Sequence, residues 1–327
     1  MRHKATLQDV ADRAGVSRAL VSIVMRDAPG ASESSRARVR KAAEEIGYRP
    51  DSRARLLRSQ RTRLLGVVFT VGQEFHAGLV DGVYRAAEER GYDVVISCVT
   101  PHRRETRAVQ TLLDDRCEGL LLIGTGMTAA ALTALDTRLP VVAVARGVRG
   151  VASVRSDDAG GAEIAVDHLA DLGHPGAVHV DGARAPGSAE RRRGFGRAAR
   201  RRGMSATVLP GGLTEREGAA AAAALLASGT LPTAVFAFND RCALGVLDVL
   251  IRAGVAVPAD VSVVGFDDSP LAGFAHVNLT TVGQDTAQLA DLAVTRLVGR
   301  LDAALPEVTD DVCPPRLIVR GTTAPPR

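Results

Sequence analysis

The chain has 327 residues, of which 46% are hydrophobic and 24% charged. At roughly 100–200 residues per domain this predicts two or three domains, and the composition excludes a disordered chain, a collagen and a disulfide-stapled miniprotein. The net charge of +4 is uneven: residues 1–63 hold 15 Lys and Arg against 7 Asp and Glu, a net +8, while the remainder is −4. A small basic head on a mildly acidic body is the footprint of a nucleic-acid reader carrying a second module, although a solvated basic surface gives the same charge. No apolar run reaches the ~18–20 residues of a membrane-spanning helix. No apolar segment follows the basic Met1-Arg2-His3-Lys4, so a cytoplasmic protein without membrane contact is expected. Cys98, Cys117, Cys242 and Cys313 form no CxxC pair. They read as small core residues, and no metal site is expected.

The head reads as three short helices. Thr6 precedes the periodic run Leu7, Val10, Ala11, Ala14, with Asp9 three residues on, the pattern of a capping box. Gly15 stops this helix and Ser17 can cap a second, Arg18–Arg26. Two helices joined by a tight glycine turn predict a helix-turn-helix. A third helix starts near Ser32 or Ser34, lines up Val39, Ala42, Ala43 and Ile46, and ends at Gly47 before Pro50.

The second helix carries the chemistry. At ~100° per residue, Val21 and Val24 face the other helices, while Arg18, Ala19, Ser22, Ile23 and Arg26 face away. That outer face suits a major groove. Arg18 can donate twice to guanine, and Ala19 and Ile23 can touch thymine methyls. Ser17 and Ser22 can bond phosphate oxygens, which position a helix without reading sequence.

Thr6-Leu7-Gln8-Asp9-Val10-Ala11, Ala14-Gly15-Val16-Ser17, Val21-Ser22 and Gly47-Tyr48-Arg49-Pro50 resemble the head of the lactose-repressor (LacI/GalR-type) transcription regulators. The resemblance places Thr6 among the DNA-contacting residues. It departs at Ile23, where the family often has Arg, so base preference there is expected to shift toward a thymine methyl. The resemblance also makes residues 51–62 a hinge helix that orders on operator DNA, with Arg53 and Ala54 at the minor groove. Leu57 is its wedge between base pairs, and apolar wedges of this kind unstack flexible steps and kink a duplex. A linker helix packed on the body is the plainer reading.

From Leu64 the pattern changes to apolar strand-length runs alternating with helical segments. The first set is Leu64–Thr70, Gly78–Arg90, Asp93–Cys98, Glu105–Asp115, Gly119–Gly124, Ala129–Leu135 and Val141–Ala145. It restarts with Gly161–Leu172, Ala177–Val180, Arg191–Arg202, Glu215–Ser228, Ala234–Phe238, Cys242–Ala253 and Val261–Phe266. This predicts an α/β body of two lobes with parallel sheets, binding a ligand at the strands' carboxyl ends.

The likeness continues through Gly173-His174-Pro175, Arg191-Arg192-Arg193-Gly194-Phe195, Phe238-Asn239-Asp240, Val263–Asp268, Leu279–Val282 and Leu317–Thr322, and so covers nearly the whole chain. It implies a two-lobed, periplasmic-binding-protein-like effector domain over 63–327, behind a head at 1–50 and the hinge at 51–62. The first lobe would be about 63–157 with 285–312, the second about 158–282 with 316–327. Effector contacts carried over from the family are Phe75, Arg191, Asn239, Asp267 and Gln284. Polar groups of these kinds pair well with vicinal hydroxyls. Each has a plainer role: Phe75 in the core, Arg191 on a solvated helix face, Asn239 as a helix cap, Asp267 in a turn. With no Trp, a stacking face would come from Phe75 or Phe266. Asp157 lies at a lobe crossover.

One motif points to an enzyme. Gly124-Thr125-Gly126-Met127-Thr128-Ala129 fits GxGxxA, and Arg146 lies ~20 residues on, where an NADP-dependent oxidoreductase reads the ribose phosphate. The motif follows a third strand rather than opening the fold, and no Ser-His-Asp or paired-carboxylate set accompanies it. The expectation is therefore a sequence-specific repressor rather than an enzyme, needing no cofactor. It would bind double-stranded DNA at a pseudo-palindromic operator as a homodimer, since one head supplies too few contacts. A small polar effector, a sugar, would control it. The Pro-rich 321–327 segment holds no leucine heptads, so no tetramer coil is expected.

Overall fold

A computed structural model describes residues 5–25, 27–48, 61–303 and 308–327. The chain divides into two compact units, Met1–Thr62 and Arg63–Arg327. In the first, α1 (Leu7–Ala14), α2 (Arg18–Met25) and α3 (Glu33–Glu45) pack around Val10, Val21, Val24, Val39 and Ala42. The capping box forms in full: Thr6 Oγ1 accepts from the Asp9 amide at 3.3 Å and Asp9 accepts from the Thr6 amide at 2.7 Å. Gly15 ends α1 at φ +63°, the left-handed geometry that favours glycine. Ser17 Oγ then accepts from the Leu20 amide at 3.2 Å to open α2. Arg13 pairs with Glu45 at 2.7 Å and ties α1 to α3.

The larger unit contains two six-stranded sheets. The first is built from β1 (Leu64–Thr70), β2 (Asp93–Val99), β3 (Gly119–Ile123), β4 (Val141–Val144), β5 (Ala152–Ser156) and β11 (Asp310–Cys313), in the order β11-β5-β4-β3-β1-β2, and is parallel throughout. Its faces are covered by α4 (Glu74–Glu89) and α11 (Thr286–Leu301) on one side, and by α5 (Glu105–Asp114) and α6 (Ala129–Asp136) on the other. Burial on both faces explains why β3 and β4 are apolar at nearly every position.

The second sheet comprises β6 (Gly176–Val180), β7 (Ser205–Leu209), β8 (Ala234–Ala237), β9 (Ser262–Asp267), β10 (Thr280–Gly283) and β12 (Arg316–Ile318), in the order β12-β10-β9-β8-β6-β7. The β10–β12 pair is antiparallel, a departure from all-parallel sheets. Helices α7 (Asp158–Asp171) and α8 (Ser188–Arg202) cover one face, α9 (Glu215–Ala227) and α10 (Asp240–Arg252) the other. Glycines set two of these helix contacts. A Cβ at Gly194 would collide with the Ala159 carbonyl of α7, and one at Gly245 with the Glu215 carbonyl of α9.

The chain passes between the sheets three times: after β5, after β10, and between β11 and β12. In each sheet the strand order reverses beside the first strand, β1 or β6. That reversal leaves a crevice at the carboxyl ends of the strands. None of the four cysteines is bonded to another. Burial pushes the Cys117 and Cys242 thiols up to about 12, so they are not nucleophiles. No helix among the described residues is long and apolar enough to cross a membrane.

Candidate functional site

Helix α2 presents two faces. Val21 and Val24 are buried in the head, whereas Ser17, Arg18 and Ala19 are exposed and Ser22 and Ile23 are half-buried. This amphipathic split leaves a row of small and basic side chains on the outer surface. Thr6 is committed locally: its hydroxyl donates to Asp9 at 2.8 Å within the capping box. Arg26, Arg53, Ala54 and Leu57 lie outside the described residues.

In the larger unit a cavity of about 120 Å³ lies between the lobes, and Phe75, Arg191, Asn239, Asp267 and Gln284 all line it. Thr70 and Gly124 bring the ends of β1 and β3 to its first-lobe wall, while Phe238, Asn239 and Asp267 bring the ends of β8 and β9 to the other. The cavity thus sits at the order reversals of both sheets, where ligands bind in such folds.

Arg191 is 5% exposed although it belongs to a run of three arginines. Its Nε donates to Asp158 at 2.8 Å and its Nη1 to the Phe238 carbonyl at 2.5 Å. Its guanidinium covers the Phe266 ring, 3.5 Å from the centroid. Phe266 is therefore buried behind Arg191 and offers no stacking wall; Phe75 and Phe238 line the cavity instead. Asn239 both caps α10 and faces the cavity. Its Oδ1 accepts from the Cys242 amide at 2.9 Å and its Nδ2 donates to the Leu213 carbonyl at 3.2 Å.

Asp267 ends β9 at φ +115°, a strained conformation for a side-chain-bearing residue. Gln284 donates to it at 2.7 Å, and Arg191 Nη2 lies 3.8 Å away. Burial raises its pKa, Arg191 opposes the shift, and the neighbouring Asp240 adds to it. Asp240 is itself raised by burial, against hydrogen bonds from Thr281 and Ser269.

A lacI-family model of bacterial regulatory proteins matches residues 6–51, and a periplasmic binding protein-like domain matches residues 166–323. The Ribose operon repressor of Escherichia coli (strain K12) is 33% identical over 309 residues, covering 91% of this chain and 93% of that protein. The chain belongs to the lacI family. A LacI transcriptional regulator from a Rhodococcus species is 50% identical, with a TM-score of 0.78 over 81% of this chain and all of that one. The lac repressor dimer bound to operator and the anti-inducer ONPF is 27% identical, with a TM-score of 0.85 over 98% of this chain and all of that one.

In this LacI-family repressor, the DNA-binding helix-turn-helix and the periplasmic-binding-protein-like effector domain are both in place. Asp158 and His76 were missed by the sequence reading. Asp158 follows the crossover residue Asp157 but is brought against Arg191 only by the packing of α8 on α7. His76 adjoins Phe75, and burial lowers its pKa to about 4, so the ring is neutral at physiological pH. Its Nδ1 is buried with no hydrogen-bond partner among the described residues.

The GxGxxA segment does not form a phosphate cradle. The Gly126 amide donates to the Glu105 carboxylate at 3.0 Å, and the Met127 amide to Thr125 Oγ1 at 3.2 Å. A carboxylate already holding the loop amide repels a pyrophosphate. Arg146 is bonded to the Thr125 and Met127 carbonyls at 2.8 and 2.9 Å and pins the loop.

Proposed function

We propose that this LacI-family repressor acts in the cytoplasm as a homodimer on a pseudo-palindromic operator, and that a sugar bound between its lobes sets its operator affinity. The observation carrying this reading is the convergence of Phe75, Arg191, Asn239, Asp267 and Gln284 on one cavity. These five come from widely separated segments, so a helix cap, a turn and a core ring do not by themselves account for their meeting.

Arg18, Ala19 and Ile23 read base edges in this scheme, while Ser17, Ser22 and Arg26 hold the backbone. Thr6 contributes through its capped helix start rather than a free hydroxyl. Arg53, Ala54 and Leu57 of the hinge enter the minor groove. In the cavity, Asp267 accepts from sugar hydroxyls, and Arg191, Gln284 and the remaining Asn239 N–H donate to them. The cavity of about 120 Å³ suits a small metabolite, well below the ~300–1,000 Å³ of drug-sized sites.

Among the described residues the lobes are joined by three crossovers and by contacts across the cleft such as Arg241 with the Gly72 carbonyl, a connection that allows two lobe arrangements in the dimer. A sugar with different affinity for the two shifts their populations. The test has two arms. Selection from a random-DNA library should return a two-fold-related site, and a panel of sugars should contain one that raises the melting temperature and changes affinity for that site. An asymmetric site, or a panel with no stabilising sugar, overturns the corresponding half.

A further inference from the structure

A second, larger space borders the inner cavity and shares part of its wall. Asp158 and Pro186 line both the cavity and an adjoining cleft of about 970 Å³ between the lobes. Six arginines and four carboxylates line that cleft. Most of these charges are paired. Arg155 bonds Asp310 at 2.7 Å, Arg193 bonds Glu190 at 3.1 Å, Asp158 is held by Arg191, and Arg197 bonds Glu163. The fourth carboxylate, Asp157, caps α7 through the Gly160 amide at 2.9 Å, which leaves its negative charge in place.

Three cations remain without a carboxylate partner among the described residues: Arg146, Arg149 and Arg184. Arg146 is fixed by two carbonyls, which satisfy its N–H groups without neutralising its charge. Arg149 and Arg184 are exposed and stand on opposite lobes, one in the β4–β5 connection and the other in the β6–α8 connection. A polar cleft with surplus positive charge focuses its field on an anion. Paired guanidinium forks match the oxygens of a phosphate or carboxylate.

We propose that the effector carries an anionic group, a phosphate ester or a carboxylate, held in this cleft between Arg149 and Arg184 while its polyol part fills the inner cavity. The inference rests on the sugar reading above and narrows it to anionic sugars. An anion held from both lobes ties them together, so the charged group also contributes to lobe closure.

The test uses the full chain and paired probes at fixed ionic strength: D-ribose with D-ribose 5-phosphate, D-glucose with D-glucose 6-phosphate and with D-glucuronate, and inorganic phosphate alone. Calorimetry should show one anionic sugar binding at least tenfold more tightly than its neutral parent. The Arg149→Ala/Arg184→Ala double variant should lose that advantage while keeping operator affinity and affinity for the neutral parent. Equal binding of parent and anion, or an advantage that survives the double substitution, overturns the cleft assignment and leaves the sugar reading standing. If no sugar binds but inorganic phosphate does, and the double variant abolishes this, the sugar reading fails and the anion site stands.

Discussion

Arg191 and Asp158 meet at 2.8 Å in the wall of the cavity between the lobes, both nearly excluded from solvent. Such a pair is vulnerable to loss of one partner, because the other is left as an uncompensated buried charge, at ~3–5 kcal/mol. Arg191→Ala should therefore destabilise the effector domain by about that amount in urea unfolding. Arg191→Lys should be milder, since it keeps the charge, yet it loses the planar fork that reaches Asp158 and the Phe238 carbonyl together. We expect Arg191→Lys to retain operator affinity and to lose the thermal shift given by the wild-type effector. A normal shift in that variant would remove Arg191 from the binding site.

Two buried carboxyls make stability depend on pH. Burial raises both Asp240 and Asp267 above the ordinary carboxylate range. A carboxyl whose folded pKa is raised holds its proton more tightly in the native state than in the unfolded chain. Its stabilising contribution is complete below the unfolded value of ~4 and is lost as pH rises through the folded value. Stability from these two groups should therefore decline between about pH 4 and the neutral range. Asp267→Asn removes one of them, so its urea midpoint should fall less steeply over that interval. Parallel curves for variant and wild type would show that Asp267 is ionised throughout.

The head supplies a separate prediction. Its net +8 should make operator affinity fall steeply with salt, with a slope near −0.9 per neutralised phosphate. Arg18 is exposed on the outer face of α2, and Arg18→Ala should cost ~1–3 kcal/mol and relax discrimination at one base pair per half-site. Binding titrations against single-base operator variants check this. A uniform loss across all variants would make Arg18 a phosphate contact instead.

Legibility in the sequence followed burial. β1, Leu64–Thr70, could be read to its ends because both faces of a central parallel strand must be apolar. The edge strands β7 and β11, Ser205–Leu209 and Asp310–Cys313, left no such run, since each pairs on one side only and keeps polar, exposed positions. β5 was also overlooked, as Arg155 interrupts its short apolar run. Helix α4 begins at Glu74 rather than Gly78. Its cap residue Gln73 makes no side-chain cap bond, so no Ser, Thr or Asp marked the start. The five residues named through the family likeness do meet in one cavity, whereas the presence of Asp158 and His76 beside them depends on which elements meet in space. Of the two rings the sequence offered, Phe75 lines the cavity and Phe266 does not; that Phe238 lies there as well was hidden, because it depends on Arg191 covering the Phe266 ring.

Arg241 offers a last test, of lobe closure. It lies in the first turn of α10, bonds Glu215 through Nε and Nη2 at 2.7 and 2.6 Å, and reaches across the cleft to the Gly72 carbonyl of the first lobe. Glu215 fixes the guanidinium, so the bond to Gly72 forms with little further ordering of the side chain. That bond exists only when the lobes are this close. A charge-assisted hydrogen bond contributes ~1.5–3 kcal/mol net, less where solvent reaches it. An effector bound between the lobes is held best by the closed arrangement, so losing the bond should weaken effector binding. We expect Arg241→Ala to bind effector up to about tenfold more weakly, which corresponds to ~1.4 kcal/mol, with the cavity residues untouched. Glu215→Gln should give a smaller loss, since Arg241 keeps its donors but is less firmly aimed. Calorimetry on both variants decides it, and unchanged affinity in Arg241→Ala would mean that closure does not depend on this contact.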